Sequence, residues 1–336
     1  MKKEKISIIG AGSWGTTLAV ILSGKGLKVN LCSIFRSHNI EMHKERENRL
    51  FLKGVKFPPS LSISASLEEA LKNEIIVIAV PVKFLRSALR KFPRPKISYQ
   101  KKSFISVSKG IEPKSLMRAS QIIKEELALR FVSVLSGPNI AKEILKRIPS
   151  AAILACPNTK LGQKLQALFS SRAFRIYLHD DVIGVEIGGA LKNIIAIACG
   201  ISDGLGFGTN TKAALVTRGL TEITRLGQKL GAKPATFWGI SGLGDLVTTC
   251  FSPFSRNRSV GEYVGKGESI DKVIKNMNMV AEGVETVKAA FKLSKKLKVD
   301  MPITREVYSV LYRNKPPQKA VEDLMSRPLK SEILAQ

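Results

Sequence analysis

Residues 5–26 read KISIIGAGSWGTTLAVILSGKG, an apolar strand pattern that runs into a glycine-rich turn and then a helical pattern. Gly10, Gly12 and Gly15 stand in GxGxxG spacing, and each has a physical task. Gly10 makes the tight turn, Gly12 lets the backbone approach a pyrophosphate, and Gly15 lets helix and strand pack closely. The helix N-terminus then presents free N–H groups and a positive dipole end to the phosphates. A glycine-rich turn without a ligand has the same spacing. The context separates the two readings, because this loop heads an alternating strand and helix pattern.

That pattern continues through "LKVNLCS" (27–33), "EIIVIAVP" (74–81), "SFISVS" (103–108), "FVSVLSG" (131–137), "SAAILAC" (150–156) and "FRIYL" (174–178). Several of these runs are apolar on both faces, as buried parallel strands are. Helical periodicity in "SLEEALKN" and "SLMRASQIIKEELALR" lies between them. The alternation predicts an α/β fold, a doubly wound sheet with right-handed crossovers. After residue 180 the strands stop. "DDVIGVEIGGALKNIIAIACG" predicts a long helix with Asp180 and Asp181 at its start and Gly200 at its stop, and further helical patterns follow. The chain divides into a dinucleotide-binding domain over 1–180 and an all-helical domain over 181–336. Residues 326–336 read as a loose tail.

Composition narrows the function classes. The 336 residues are 44% hydrophobic and 24% charged, an ordinary globular balance, but the net charge is +27. Such a charge fits a nucleic-acid or membrane-surface binder, or a surface that draws in anionic metabolites. The cations are scattered (Lys83, Arg86, Arg90, Lys91, Arg94, Lys96) and carry no zinc-finger, basic-zipper or aromatic RNA-binding signature. Nucleic acid is therefore not expected as the main partner. Cys32, Cys156, Cys199 and Cys250 are widely spaced and form no CxxC pair, which suits reduced, buried thiols in a cytoplasmic protein. Glycine and polar residues break "MKKEKISIIGAG" before a signal-peptide core can form, and no run reaches the roughly 18 apolar residues of a spanning helix. A cytoplasmic protein with no membrane insertion is expected, and no metal site.

A dinucleotide fingerprint usually places an acid about 20 residues on, bound to the adenosine ribose 2′-hydroxyl. Here "KVNLCS" runs into Ile34, Phe35 and Arg36, and the first acid is Glu41. NADP(H) is thus allowed beside NAD(H). Arg36 is a candidate partner for a 2′-phosphate, with a solvated surface arginine as the alternative.

A bound nicotinamide needs a proton donor or acceptor beside it. His38, His43 and His179 lie away from the strand C-termini where such chemistry sits, which favours lysine. From Ile176 to Thr211 Lys192 is the only Lys or Arg, whereas an even spread of the 54 in this chain would place about six there. Helical spacing puts Lys192 on one face with Gly188, Gly189, Ala196 and Cys199, small residues that leave room for a ligand or a close backbone. Burial lowers an ammonium pKa toward neutrality, as a proton shuttle requires. A second cation in the stretch would lower it further. The other reading is a lysine snorkelling from a helix edge. Lys109 follows a strand in "SKGIE", and Gly137 and Asn139 follow the next in "SGPNIAKE"; strand C-termini are where ligands bind in such sheets, and helix caps explain both motifs equally well. Residues 239–261 form a long glycine- and polar-rich loop with Asp245 in a tight turn, and Ser255, Arg256, Asn257 and Arg258 at the next helix start. That cluster suits a substrate phosphate.

These motifs occur in an order that resembles NAD(P)-dependent glycerol-3-phosphate dehydrogenase. "GAGSWGTTLA", "SKGIE", "SGPNIAKE", "IGGALKNIIAIACGISDGLGFGTNTKAAL", "GLGDL", "SRNR", "AEGVET" and "MPIT" carry the resemblance from about residue 5 to 325. It implies a Rossmann-type domain followed by a helical domain of the 6-phosphogluconate dehydrogenase C-terminal type. It also implies a homodimer that reversibly reduces dihydroxyacetone phosphate to sn-glycerol 3-phosphate for phospholipid synthesis. By the same resemblance Lys192 is the acid/base, Lys109 stands between substrate and cofactor, and Asp245 orients the reacting lysine. Gly137, Asn139, Ser255, Arg256 and Asn257 fall on substrate positions, with Arg256 also near the cofactor. Ser13, Trp14, Ala141, Val280 and Glu282 fall on dinucleotide positions. Asn139 stands where most bacterial members carry Ser or Thr, and Ile34 where a His or Arg is usual. One alternative is a β-hydroxyacid dehydrogenase, whose pattern sets an Asn one turn after the lysine, while here Lys192 and Asn193 are adjacent. Another is a non-catalytic dinucleotide- or nucleic-acid-binding protein that uses the +27 charge.

Overall fold

The computed structural model describes residues 4–93, 99–277, 280–329 and 331–332, so Arg94, Lys96 and the end of the 326–336 tail lie outside the described residues. Eight strands form one sheet: β1 (Lys5–Ile9), β2 (Lys28–Cys32), β3 (Leu61–Ser64), β4 (Ile75–Ile78), β5 (Ser103–Ser106), β6 (Ser133–Ser136), β7 (Ser150–Ala155) and β8 (Phe174–His179). Their order is β3-β2-β1-β4-β5-β6-β7-β8, and β1 to β6 are parallel. This is the doubly wound order, with its direction of progress reversing between β1 and β4. All four residues of β4, IIVI, are buried, as a central parallel strand covered on both faces requires. Side chains alternate between two cores. Ile6 and Ile8 pack with Leu18 and Leu22 of helix Ser13–Gly24 on one face, and Ile9 packs with Ile76, Ile78 and Leu85 on the other.

The structure departs from the expected sheet at two places. β3 is not among the strands expected from sequence, because only Leu61 and Ile63 are apolar in a serine-rich run, and at a sheet edge two suffice. β7 pairs antiparallel to β6, and β8 runs parallel to β7. Helix Ala141–Leu145, in the connection from β6, has five residues and spans only about 7 Å. The chain therefore turns back along β6 instead of crossing over it. As a result His179, which does end a strand, ends one at the opposite edge of the sheet from the C-termini of β1 to β6.

Helix Val182–Gly204 follows at once, and it is the axis of the second half. The Asp181 side chain caps it by accepting from Gly184 N–H at 2.8 Å, while its other oxygen accepts from Lys233 N–H at 2.8 Å and Thr236 Oγ1 at 2.6 Å. Val185 packs with Val134, Ile153 and Ala155 of β6 and β7, so the helix is anchored on the sheet. The helix runs past Gly200, the expected stop, to Gly204. A Cβ on Gly200 would lie 1.9 Å from the Arg258 carbonyl oxygen, so this glycine permits helix Arg256–Gly265 to approach and does not end the helix. Helices Thr209–Lys229, Glu282–Leu297 and Pro302–Tyr312 complete the apolar shell around it. Among the described residues only this helix is long and apolar enough to cross a membrane, yet its apolar window is 89% buried in protein, so it is a core helix. All four cysteines are free and buried.

Candidate active site

A cleft of about 1410 Å³ opens at the C-terminal edge of β1, β4 and β5 and is closed on its far side by the helical domain. At the sheet end it is floored by the glycine loop. Gly10 takes φ +115°, and a Cβ there would lie 2.5 Å from the Ala79 carbonyl oxygen just past β4. A Cβ on Gly15 would lie 2.0 Å from the Gly10 carbonyl oxygen, whereas one on Gly12 would project into open space. Helix Ser13–Gly24 starts here with no side-chain cap and no acid in its first turn, which leaves its first N–H groups for an anion. Trp14 Nε1 and both amide atoms of Asn139 are buried without partners although both residues line the cleft. The volume exceeds that of an ordinary small-ligand pocket. Backbone cradle, volume and orphaned polar atoms together fit a dinucleotide with a small substrate beside it.

The cleft brings most of the sequence candidates together. Gly10, Gly12, Ser13, Trp14 and Gly15 line its sheet end, Lys109, Asn139 and Ala141 its middle, and Lys192, Asp245, Ser255, Arg256, Asn257, Val280 and Glu282 its helical side. Gly137 contributes its carbonyl oxygen, which accepts from Lys109 Nζ at 2.9 Å. Arg36 lies outside this lining, exposed at the start of helix Arg36–Glu45 beside a separate shallow depression with Asn39 and His43.

At the centre two ammonium groups share one carboxylate. Lys109, three residues past β5, places Nζ 2.7 Å from Asp245 Oδ2. Lys192 donates to Asp245 Oδ1 and, at 2.7 Å, to Thr249 Oγ1. Two of the three N–H bonds of Lys192 are thereby used, and the third is available to the cleft that Lys192 lines. Lys192 is only 6% exposed and Asp245 1%, so Lys192 is no snorkelling surface residue. Its pKa falls to about 8, mainly through burial, with Asp245 opposing the fall and Lys109 adding to it. A second cation is therefore present after all. The stretch around Lys192 is cleared of cations in sequence, but the fold returns one from the loop after β5. Burial likewise raises the Glu282 carboxyl above its ordinary range, against the pull of Arg256, Lys109 and Lys192.

The paired glycines let these parts meet. A Cβ on Gly188 would lie 2.8 Å from the Ser241 carbonyl oxygen, and one on Gly189 would lie 2.7 Å from Ser136 Oγ and 3.7 Å from Lys109 Cδ. Of the two uses foreseen for that space, the structure takes close packing. The turn before Asp245 and the stem of Lys109 occupy it.

Residues 239–261 are not one long loop. A tight turn at Ile240–Gly244 leads into helix Asp245–Phe251. Its β-branched Val247, Thr248 and Thr249 disguise it in sequence. Thr249 is the main residue that the sequence reading missed. It lies one turn after Asp245 and donates back to the Asp245 carbonyl oxygen at 2.6 Å, so the i, i+4 spacing was its signal. Asn193 also lines the cleft. Ser255 caps helix Arg256–Gly265 by accepting from Arg258 N–H at 3.2 Å. Arg256 donates to the Val280 carbonyl oxygen at 2.7 Å, and Asn257 Oδ1 accepts from Gly283 N–H at 3.0 Å. Arg258 points away from the cleft and pairs with Asp203 of the central helix at 2.6 Å.

Comparison with known proteins points to one family. The family models for the N-terminus and the C-terminus of NAD-dependent glycerol-3-phosphate dehydrogenase match residues 5–162 and 181–322. A glycerol-3-phosphate dehydrogenase (NAD(P)+) of Chlorobium chlorochromatii is 48% identical over 331 residues, covering 97% of this chain and 99% of that one. One from a Thermoanaerobacter species is 47% identical over 330 residues, covering 98% and 99%. The crystal structure of glycerol-3-phosphate dehydrogenase from Coxiella burnetii superposes with a TM-score of 0.91 at 36% identity, covering 97% of this chain and 99% of that one. With both halves matched and the site assembled between them, the chain belongs to the NAD-dependent glycerol-3-phosphate dehydrogenase family.

Proposed function

We propose that the chain catalyses the reversible, NAD(P)(H)-dependent reduction of dihydroxyacetone phosphate to sn-glycerol 3-phosphate, supplying glycerophospholipid synthesis. The observation that carries the reading is the buried Asp245 held between Lys109 and Lys192 at the inner end of a dinucleotide-sized cleft. When bound, the nicotinamide supplies or accepts the hydride at the carbonyl carbon. The rest of the chemistry belongs to the chain. In reduction, the protonated Nζ of Lys192 gives its free hydrogen to the ketone oxygen, which becomes the hydroxyl. In oxidation, neutral Lys192 takes that proton back. A pKa of about 8 keeps both forms accessible near neutral pH. Asp245 and Thr249 fix the direction of Nζ, so the remaining N–H has one place to aim.

Lys109 adds a second positive charge against the growing oxyanion, and its bonds to Gly137 and Asp245 hold it in place. Ser255, Arg256 and Asn257 at the start of helix Arg256–Gly265 receive the substrate phosphate, aided by the helix dipole. Gly10, Gly12, Ser13, Trp14 and Gly15 cradle the pyrophosphate, and Ala141, Arg256, Val280 and Glu282 flank the rest of the dinucleotide. We assign dinucleotide binding to residues 1–180 and substrate binding to 181–336, with Lys109, Gly137 and Asn139 reaching across. A cytoplasmic homodimer with no nucleic-acid partner completes the proposal.

The test is spectrophotometric. Absorbance of NADH or NADPH at the nicotinamide band should fall on addition of dihydroxyacetone phosphate and recover in the reverse assay with glycerol 3-phosphate at high pH. No oxidation of either cofactor would sink the reading. Sedimentation as a monomer at micromolar concentration would remove the dimer.

A further inference from the structure

The glycine loop and the β2 edge leave open what tells NADPH from NADH. The place of the usual ribose-binding acid is taken by Ser33, Ile34 and Phe35, which line the cleft and carry no charge. Arg36, the cation nearest in sequence, lies outside the lining. Another cation, Lys53, lines the same cleft. Asn48 Nδ2 donates to the Ala11 carbonyl oxygen at 2.9 Å and to Thr16 Oγ1 at 2.8 Å. Asn48 Oδ1 meets His38 Nε2 at 3.0 Å and accepts from Phe51 N–H at 3.1 Å. The Phe51 ring also packs edge-on against His38, centroids 5.5 Å apart. These contacts pin the segment from residue 48 onward across the glycine loop and the helix after β2, and they set Lys53 in the cleft wall with Ile34 and Phe35.

The neighbouring cations are engaged. Arg49 pairs with Glu45 at 2.7 Å, Lys56 with Glu47 at 3.1 Å, and Arg46 donates to the Pro58 carbonyl oxygen at 2.7 Å. Lys53 has no ion pair or hydrogen bond among the described residues. We propose that Lys53 is a specificity-determining residue of this chain, the cation that meets the 2′-phosphate of NADPH and favours it over NADH. An ammonium is a strong partner for a phosphate and gains little from a neutral ribose hydroxyl. The inference rests on the dehydrogenase reading above, since it presumes that the cleft holds a dinucleotide.

The test is equilibrium binding, followed by nicotinamide fluorescence, of NADPH and NADH to the wild type and to Lys53→Gln, Lys53→Glu, Arg36→Gln and Lys91→Gln. Lys91 also lines the cleft and serves as a control. Wild type should bind NADPH more tightly. Lys53→Gln should weaken NADPH about tenfold and leave NADH within about twofold, and Lys53→Glu should reverse the preference. Arg36→Gln and Lys91→Gln should leave the ratio unchanged. The proposal is overturned if wild type does not prefer NADPH, if the ratio survives Lys53→Gln, or if Arg36→Gln or Lys91→Gln moves it instead. Failure of wild type to bind either dinucleotide would overturn the dehydrogenase reading itself. Unchanged thermal midpoints are expected, because Lys53 is exposed.

Discussion

Replacing Lys192 by methionine separates what the ammonium does for chemistry from what its burial does to the fold. Its pKa stands at about 8 instead of the ordinary 10.5. Keeping it protonated inside the protein therefore costs about 3 kcal/mol of folding free energy. Methionine has a similar shape and removes that cost. It also loses the hydrogen bond to Thr249, worth about 1 kcal/mol, while Asp245 keeps Lys109 as its partner. The variant should be more stable by about 2 kcal/mol at pH 7, a rise of about 3 °C for a chain of this size.

The sign has a pH signature. Below pH 8 the penalty is fully present. Between 8 and 10.5 the unfolded chain still holds the proton that the folded protein has shed, so the wild type gains stability with rising pH. Above 10.5 the penalty is gone. The gap between variant and wild type, followed by scanning calorimetry at pH 7 and pH 9.5, should shrink accordingly. Turnover should fall by about 10³-fold with dinucleotide affinity nearly unchanged. A variant less stable than wild type at pH 7, a stability gap that ignores pH, or retention of a tenth of the activity would each refute the reasoning.

Three further outcomes are expected. With Lys192 as the acid, kcat/KM for reduction should fall as pH rises through about 8, while oxidation should rise through the same point; profiles flat from pH 6 to 10 in both directions would contradict it. Asp245→Asn leaves two ammonium groups without their carboxylate, so urea unfolding should show a loss of about 3–5 kcal/mol. The reduction limb should also move below its wild-type position, and a limb that stays put would show that Asp245 does not hold the Lys192 proton. Gly15→Ala should destabilise the fold by about 1–3 kcal/mol, because its Cβ would lie 2.0 Å from the Gly10 carbonyl oxygen. Gly12→Ala meets open space and should leave the thermal midpoint in place while weakening NAD(P)H binding, measured by fluorescence titration. Equal loss of stability in both would contradict the assigned roles.

Much of this protein is legible in the linear chain because the determining interactions are local. The GxGxxG turn, the short apolar strand runs and the switch to helical periodicity after residue 180 are each set by near neighbours. So is the isolation of Lys192 in its own helix. Thr249 and the helix that carries it stayed hidden because their β-branched residues argue against a helix that packing nonetheless enforces. The antiparallel turn at β7 stayed hidden because strand direction depends on where a connection can travel, and residue type does not record that.

The electrostatics of the site belong wholly to the tertiary structure. Within its own helix Lys192 is a lone cation. Folding brings Asp245 and Lys109 to it from 53 and 83 positions away, and only that meeting sets its pKa and its aim. The same holds at the nucleotide end. Arg36 is the nearer cation to the β2 edge in sequence, yet Asn48 and Phe51 put Lys53 in the cleft wall instead. Residue identity decides which groups can carry a proton or bind a phosphate. Long-range packing decides which of them share a volume, because Coulomb and desolvation energies depend on distance and burial, and neither is a property of sequence spacing.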